Sequence, residues 1–277
     1  MPSLSSGINI ALQAVLTHAQ AIEVIEHNVA NANTPGYRRQ SASLVATASS
    51  YNGLGFGSGA GQRGSGVTVD RIQRFNLDFF DGRYRTIAGQ SKNWESQSNI
   101  LVQIESTLAE TSDDGLLNKL DQFWSGWQGL ASDPTNTSLR AGVIDAASDL
   151  SSAFNRRAQQ LTQIQSDQNQ AVKSRVTEIN TLGSKVASLN AEISRIQSIG
   201  EQPNDLLDQR DLALDRLAEV AGAVSYPQEN GEVIVSIGGH VLVTGHDSLT
   251  LRTQANPTNT NVVDAVWDQD SEPLVVR

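Results

Sequence analysis

Residues 161–196 read LTQIQSDQNQAVKSRVTEINTLGSKVASLNAEISRI, and the reading of this stretch decides the fold. Leu161, Gln165, Gln168, Val172, Arg175, Ile179, Leu182, Val186, Leu189, Ile193 and Ile196 recur at steps of three and four. From Val172 onward the rhythm lasts more than three heptads, the spacing of a helix that buries one narrow seam. A helix of this length would be on the order of 50 Å long, well beyond the average globular helix.

Two more runs repeat the pattern. Leu77, Phe80, Tyr84, Ile87, Ser91, Trp94, Ser98, Leu101, Glu105 and Leu108 form a second long helix. Leu4, Ile8, Ala11, Val15, His18, Ile22, Ile25 and Val29 form the first, widened by Leu12, Leu16 and Ala19. It stops near Thr34, because Pro35 disfavours helical geometry just before it and Gly36 accepts positive φ. Polar residues at seam positions (Ser91, Ser98, Gln165, Gln168, Arg175) cost stability and fix register.

Shorter helices lie between. Thr111–Asp114 offers N-caps to a helix carrying Leu116, Leu120, Phe123, Trp124, Trp127 and Leu130. Asp133-Pro134 has the order of a cap and first helical residue, opening a helix with Leu139, Val143 and Leu150 that continues toward the 161–196 run. Another helix is expected from Asn204 to Val220. Beyond Gly222 the period falls to two in Ala223–Tyr226, Glu232–Ile237, His240–Thr244 and Leu249–Arg252, with Gly231, Gly238-Gly239 and Gly245 at the turns. The run ending at Arg277 reads as a domain cut open.

The expected fold is therefore mainly α with a smaller β region: a long-helix coiled-coil bundle with an amino-terminal helix and a carboxyl-terminal β-rich part. Its divisions are 1–36, a 37–73 loop and β connector, a 74–221 rod, and 222–277.

Composition narrows the function. Of 277 residues 38% are hydrophobic and 5% aromatic, too few for one large enzyme-like core. The absence of cysteine excludes disulfides and thiolate chemistry. A net charge of −10 opposes nucleic-acid binding, which needs a basic footprint. No stretch reads as approaching the roughly 20 apolar residues of a membrane span. Met1–Gly7 lacks the basic and apolar regions of a secretory signal.

Candidate chemistry is sparse. Gly59-Ala-Gly-Gln-Arg-Gly64 matches a dinucleotide fingerprint, but no strand-to-helix context surrounds it, so a loop is the better reading. Asp205, Asp208, Asp211 and Asp215 share one helix face; a solvated stripe with Arg210 and Arg216 as charge partners is preferred over a cation site. His18, His27, His240 and His246 do not have the spacing of a zinc site. No catalytic, cofactor or metal residue is assigned, and the chain is not read as an enzyme. The apolar face of the first helix is the feature that asks for a partner, since a lone amphipathic helix is marginal in water. Its polar face has no Lys or Arg before Arg38, which weakens a membrane-surface reading.

At His27-Asn-Val-Ala-Asn-Ala-Asn-Thr-Pro-Gly-Tyr-Arg-Arg-Gln40 the sequence resembles the amino-terminal signature of bacterial flagellar rod, hook and hook-associated proteins. The matching positions are Asn28, Asn31, Asn33, Thr34, Pro35, Gly36 and Tyr37; His27 stands where asparagine is usual, and Val29 for isoleucine. Asn204-Asp-Leu-Leu-Asp-Gln-Arg-Asp211, with Leu206, Leu207, Asp208, Gln209, Arg210 and Asp211, is similar to a segment of the hook-associated junction proteins, as is Leu189–Arg195. The resemblance implies an axial structural protein that joins hook to filament by helical polymerisation, with a flagellin-like rod domain and an amino-terminal assembly helix.

It further implies an interface through Leu4, Ile8, Val15, Ile22, Ile25 and Val29. The implied partners are copies of itself, the hook protein, the other hook-associated junction protein, and an export chaperone through a carboxyl-terminal part beyond residue 277. It implies no cofactor, and a location outside the cell reached by flagellar type III export. A hook, rod or flagellin-junction relative is the alternative within the class; a membrane-active or signalling coiled coil is the alternative outside it.

Overall fold

The structure, a computed structural model, describes residues 4–47, 64–108, 115–259 and 261–274, with side chains from Gly7 onward. The elements are α1 Leu4–Ala30, β1 Gln40–Ala46, β2 Val67–Arg74, α2 Asp78–Leu108, α3 Leu116–Ser132, α4 Thr137–Ser198, α5 Asn204–Ala221, β3 Val224–Pro227, β4 Val233–Ile237, β5 His240–Thr244, β6 Asp247–Ser248, β7 Leu251–Ala255 and β8 Val263–Trp267. The helices match the sequence periodicity, and the two expected later helices fuse into the single 62-residue α4. The dinucleotide-like residues 59–63 and the Thr111–Asp114 cap candidates lie outside the described residues.

The chain divides into two compact units. The first holds residues 1–87 and 181–249. Its core forms where α4 and α5 meet the antiparallel sheet β3-β4-β5-β6. Val233, Val235 and Ile237 alternate inward on β4, as a period of two requires. They join buried Val186 and Ile193 of α4, Leu214 and Leu217 of α5, and Leu242 and Val243 of β5. Helix α5 ends on Gly222 in the left-handed region, whose N–H bonds Ala218 O while Ala223 N–H bonds Leu217 O. Asn190 is fully buried in this core with four bonds. Its amide donates to Val233 O and Gly245 O, and its Oδ1 accepts from Val233 N–H and Arg210 Nη1.

The first unit also contains the antiparallel hairpin β1–β2, with a bulge at Ser43/Leu44. Helix α1 lies against it. Thr17 Oγ1 sits 2.9 Å from Val67 O, and Val24 is buried. Within Gly7–Ala30 an 18-residue window has a mean hydropathy of 1.3, and the segment is long and apolar enough to cross a membrane by those measures alone. This corrects the expectation that no stretch approaches that length. The segment qualifies without an unbroken apolar run, because small alanines separate its large apolar residues and its only acidic or basic residues besides histidine are Glu23 and Glu26.

The second unit holds residues 88–180 and 250–275. Asn180 bridges Leu251 on both N–H and C=O, and Asn169 bonds Asn261 O and Val263 N–H, so α4 grips the β7–β8 hairpin. Leu251, Val266 and Trp267 are buried there, as are Val176 and Ile179 of α4. Helices α3 and α4 approach closely where Gly126 meets Val143. The cap of α4 differs from expectation: Asn136 Oδ1, not Asp133, accepts the N–H groups of Ser138 and Leu139. Helix α3 begins after Gly115 without a side-chain cap.

Candidate assembly site

The turn after α1 is built by its own side chains. Asn31 Nδ2 donates to His27 O, Thr34 Oγ1 to Asn31 Oδ1, and Tyr37 N–H to Thr34 O. Tyr37 folds back on the helix: its hydroxyl donates to Asn28 Oδ1 at 2.8 Å and lies 3.0 Å from His27 Nδ1. With the tyrosine proton directed at Asn28, His27 is the donor in the second bond. The rings meet edge to face at 5.4 Å. Asn28 also bridges Gln40, donating to its C=O and accepting its N–H. One asparagine thus fixes the tyrosine and the first residue of β1 together.

Gly36 has φ +80°, and a Cβ there would lie 3.1 Å from Leu212 Cβ of α5. Glycine is needed on both counts, for backbone conformation and for close approach. The turn therefore rests on α5, the helix carrying the second sequence signature.

Of the four α5 aspartates Asp205 is exposed as expected, but Asp208, Asp211 and Asp215 are not a solvated stripe. Asp208 accepts Arg38 N–H at 3.0 Å and pairs with Arg74 at 2.8 Å. Asp211 pairs with Arg74 at 2.7 Å and Arg85 at 3.1 Å, and Asp215 with Arg85 at 2.7 Å. Asp205 accepts from Gln40 Nε2, whose Oε1 accepts from Asn204. Arg38 reaches Asp81 of α2 at 2.6 Å and Asp211 at 3.6 Å. The expected partners are elsewhere: Arg210 bonds Asn190 and Gly231 O, and Arg216 pairs with Glu219. Helical geometry explains the correction. Steps of three and four aim all four aspartates at the hairpin and α2, while Arg210, one residue from Asp211, points about 100° away toward α4.

Charge and burial set the ionisation. Burial pulls the Arg38 pKa down, but the Asp81 hydrogen bond and the nearby aspartates outweigh it and raise it. Burial raises Asp215 despite the opposing pull of Arg85. Burial lowers Arg210 to about 10. Burial raises Tyr37, helped by Asp205 and Asp208.

The opposite face of α1 is open. Ile8, Val15, Ile22, Ile25 and Val29 are exposed, with Leu12 and Leu16 beside them, and Val29 reaches 72%. Leu4 begins the helix, with its side chain outside the described set. Among the remaining signature residues, Asn33, Thr34 and Pro35 are exposed at the turn, Leu206 and Leu207 are half-buried, and Gln209 is exposed.

Residues 101–275 match the family profile described as the flagellar hook-associated protein FlgK helical domain. The chain belongs to the FlgK family of flagellar hook-associated proteins. Residues 8–38, which hold α1 and its turn, match the flagella basal body rod protein family. Among FlgK-family relatives, flagellar hook-associated protein 1 of Bacillus subtilis is 33% identical over 283 residues, covering 100% of this chain and 55% of the relative. That of Salmonella typhimurium is 31% identical over 265 residues, covering 94% and 47%. The solved structure of the flagellar hook junction protein FlgK from Burkholderia pseudomallei aligns with a TM-score of 0.63 at 28% identity, over 69% of this chain and 34% of that one. The chain spans about half the length of the curated relatives it matches.

Proposed function

We propose that this chain serves as a structural axial protein of the flagellum, joining hook to filament by polymerising with copies of itself and adjoining axial proteins. The observation that carries the reading is the open apolar face of α1, held on a helix whose other face is docked. Continuous exposed apolar surface of this kind marks a site for another chain. A polymer needs surfaces that repeat without closing, and α1 offers one such half. Leu4, Ile8, Val15, Ile22, Ile25 and Val29 are assigned to that contact, and the family membership supplies the setting.

In this reading residues 1–36 are the assembly helix, 37–73 the connector, 74–221 the rod and 222–277 the β-rich part. The protein acts by binding, outside the cell, after export. Its partners are the hook protein, the second junction protein and an export chaperone. Deleting residues 1–36 from the full-length protein tests the proposal: hooks should form without filaments in a strain lacking the native copy. Normal filaments on those hooks would end it.

A second reading has its own observation, the hydropathy of Gly7–Ala30. It places α1 on a lipid surface, and co-sedimentation of the chain with anionic vesicles tests it. Glu23 and Glu26, and the lack of Lys or Arg before Arg38, oppose it.

A further inference from the structure

We propose that α1, its turn and the β1–β2 hairpin form one body that is held to α5 and α2 by a releasable ionic clasp, so that the open face of α1 can be re-aimed without unfolding the core. Three observations carry this. Within the body the links are dense: Thr17 on Val67 O, Asn28 on both backbone groups of Gln40, Tyr37 on Asn28, and Val24 buried against the hairpin. Between the body and α5 the links are polar: Arg38 and Arg74 on Asp208 and Asp211, Gln40 on Asp205 and Asn204, with Arg38 also on Asp81 of α2. Gly36 against Leu212 is an apolar touch. Gln40 and the side chain of Arg74 are the buried groups of the two strands among the described residues, so the hairpin adds no buried apolar side chain to the joint.

Unfilled space flanks the clasp on both sides. A cavity of about 550 Å³ opens between α1, the hairpin and Asp205, and one of about 190 Å³ between the turn and Leu212. Opening the joint would therefore expose little apolar surface. It would return both members of each ion pair to water, which repays the desolvation that burial imposed. Removing one member while the joint stays shut is the unfavourable case, since it strands a charge. The clasp is predicted to release as a unit, and a neighbouring chain that binds the face of α1 selects the angle. That last role rests on the assembly reading above; the clasp itself does not.

The test uses the 277-residue chain, whose lack of cysteine allows clean spin labelling. One label pair at Ala19→Cys and Lys185→Cys spans the joint. A second pair at Ala19→Cys and Ser41→Cys lies within the body. In the parent chain both pairs should give narrow distance distributions. In Asp208→Asn combined with Arg74→Gln the spanning distribution should widen about twofold or more while the internal pair stays narrow. Hydrogen exchange of α5 and β4 should remain at the parent level. An unwidened spanning pair, a widened internal pair, or loss of protection in α5 and β4 would each overturn the proposal. Because no polymer is involved, these outcomes are separate from success or failure of the filament experiment.

Discussion

Arg74 and Asp208 stand 134 residues apart and meet at 2.8 Å, each with a side chain 8% exposed. The pair ties the end of β2 to α5 and joins the two sequence signatures, because Asp208 also holds the N–H of Arg38 beside Tyr37. The neighbouring core gives the contrast needed to interpret it.

Asn190 belongs to that core and has no polar joint to open. Replacing it with alanine removes a partner from Val233 N–H and C=O, from Gly245 O and from the buried Arg210, which keeps Gly231 O, at a cost of about 3–5 kcal/mol. Urea unfolding followed at α5 should show a midpoint far below the parent's.

Gly36→Ala carries two separable costs. Positive φ costs about 1 kcal/mol for a residue with a Cβ, and the 3.1 Å approach to Leu212 adds a steric share. Because the nearest atom is Leu212 Cβ, Leu212→Gly is the partner in a double-mutant cycle and should recover the steric share alone, leaving roughly the 1 kcal/mol of backbone strain. Full recovery would mean the conformation itself is unstrained.

Arg210 predicts an alkaline signature. Its pKa is lowered to about 10 by burial, below the value in the unfolded chain, so the folded state disfavours its charge. That penalty is present at neutral pH and is relieved as pH rises through about 10. The stability difference between the parent and Arg210→Met should therefore shift in the parent's favour across that range. A difference that does not vary with pH would contradict the assignment.

Asp215 predicts the opposite end of the scale. Burial raises its pKa, so its protonated form is favoured in the fold, and the contribution is present below the ordinary carboxylate pKa and lost as pH rises through the folded one. Asp215→Asn keeps an acceptor for Arg85 and removes the buried charge. Relative to this variant, the parent should lose stability as pH rises from below the ordinary carboxylate pKa through the raised one.

Periodicity made α1, α2, α4, α5 and the strands β3 to β5 legible, because each buries a stripe or an alternate set. Strand β1 was less visible: Gln40–Ala46 mixes Ser and Ala with Leu44 and Val45, and its bulge breaks the alternation. Strand β8 was not singled out, since its partner β7 reads as polar. The four aspartates share one face by their spacing, but their cations lie up to 173 residues away, a distance local spacing does not span. The asparagines that grip strands left a usable signal. Asn180 and Asn190 sit inward among apolar neighbours on α4, where an unpaired amide would be costly, whereas Asn169 stands among Gln165, Ser166 and Lys173.

The central claim is that the exposed face of α1 is an assembly surface, and paired substitution there tests it most directly. Ile22→Gln with Ile25→Gln changes two side chains that touch solvent, so the folded chain should keep its hydrogen-exchange pattern. Placed in the full-length protein, the pair should leave bare hooks and release filament subunits into the medium. Filaments of normal number and length on those hooks would contradict the account.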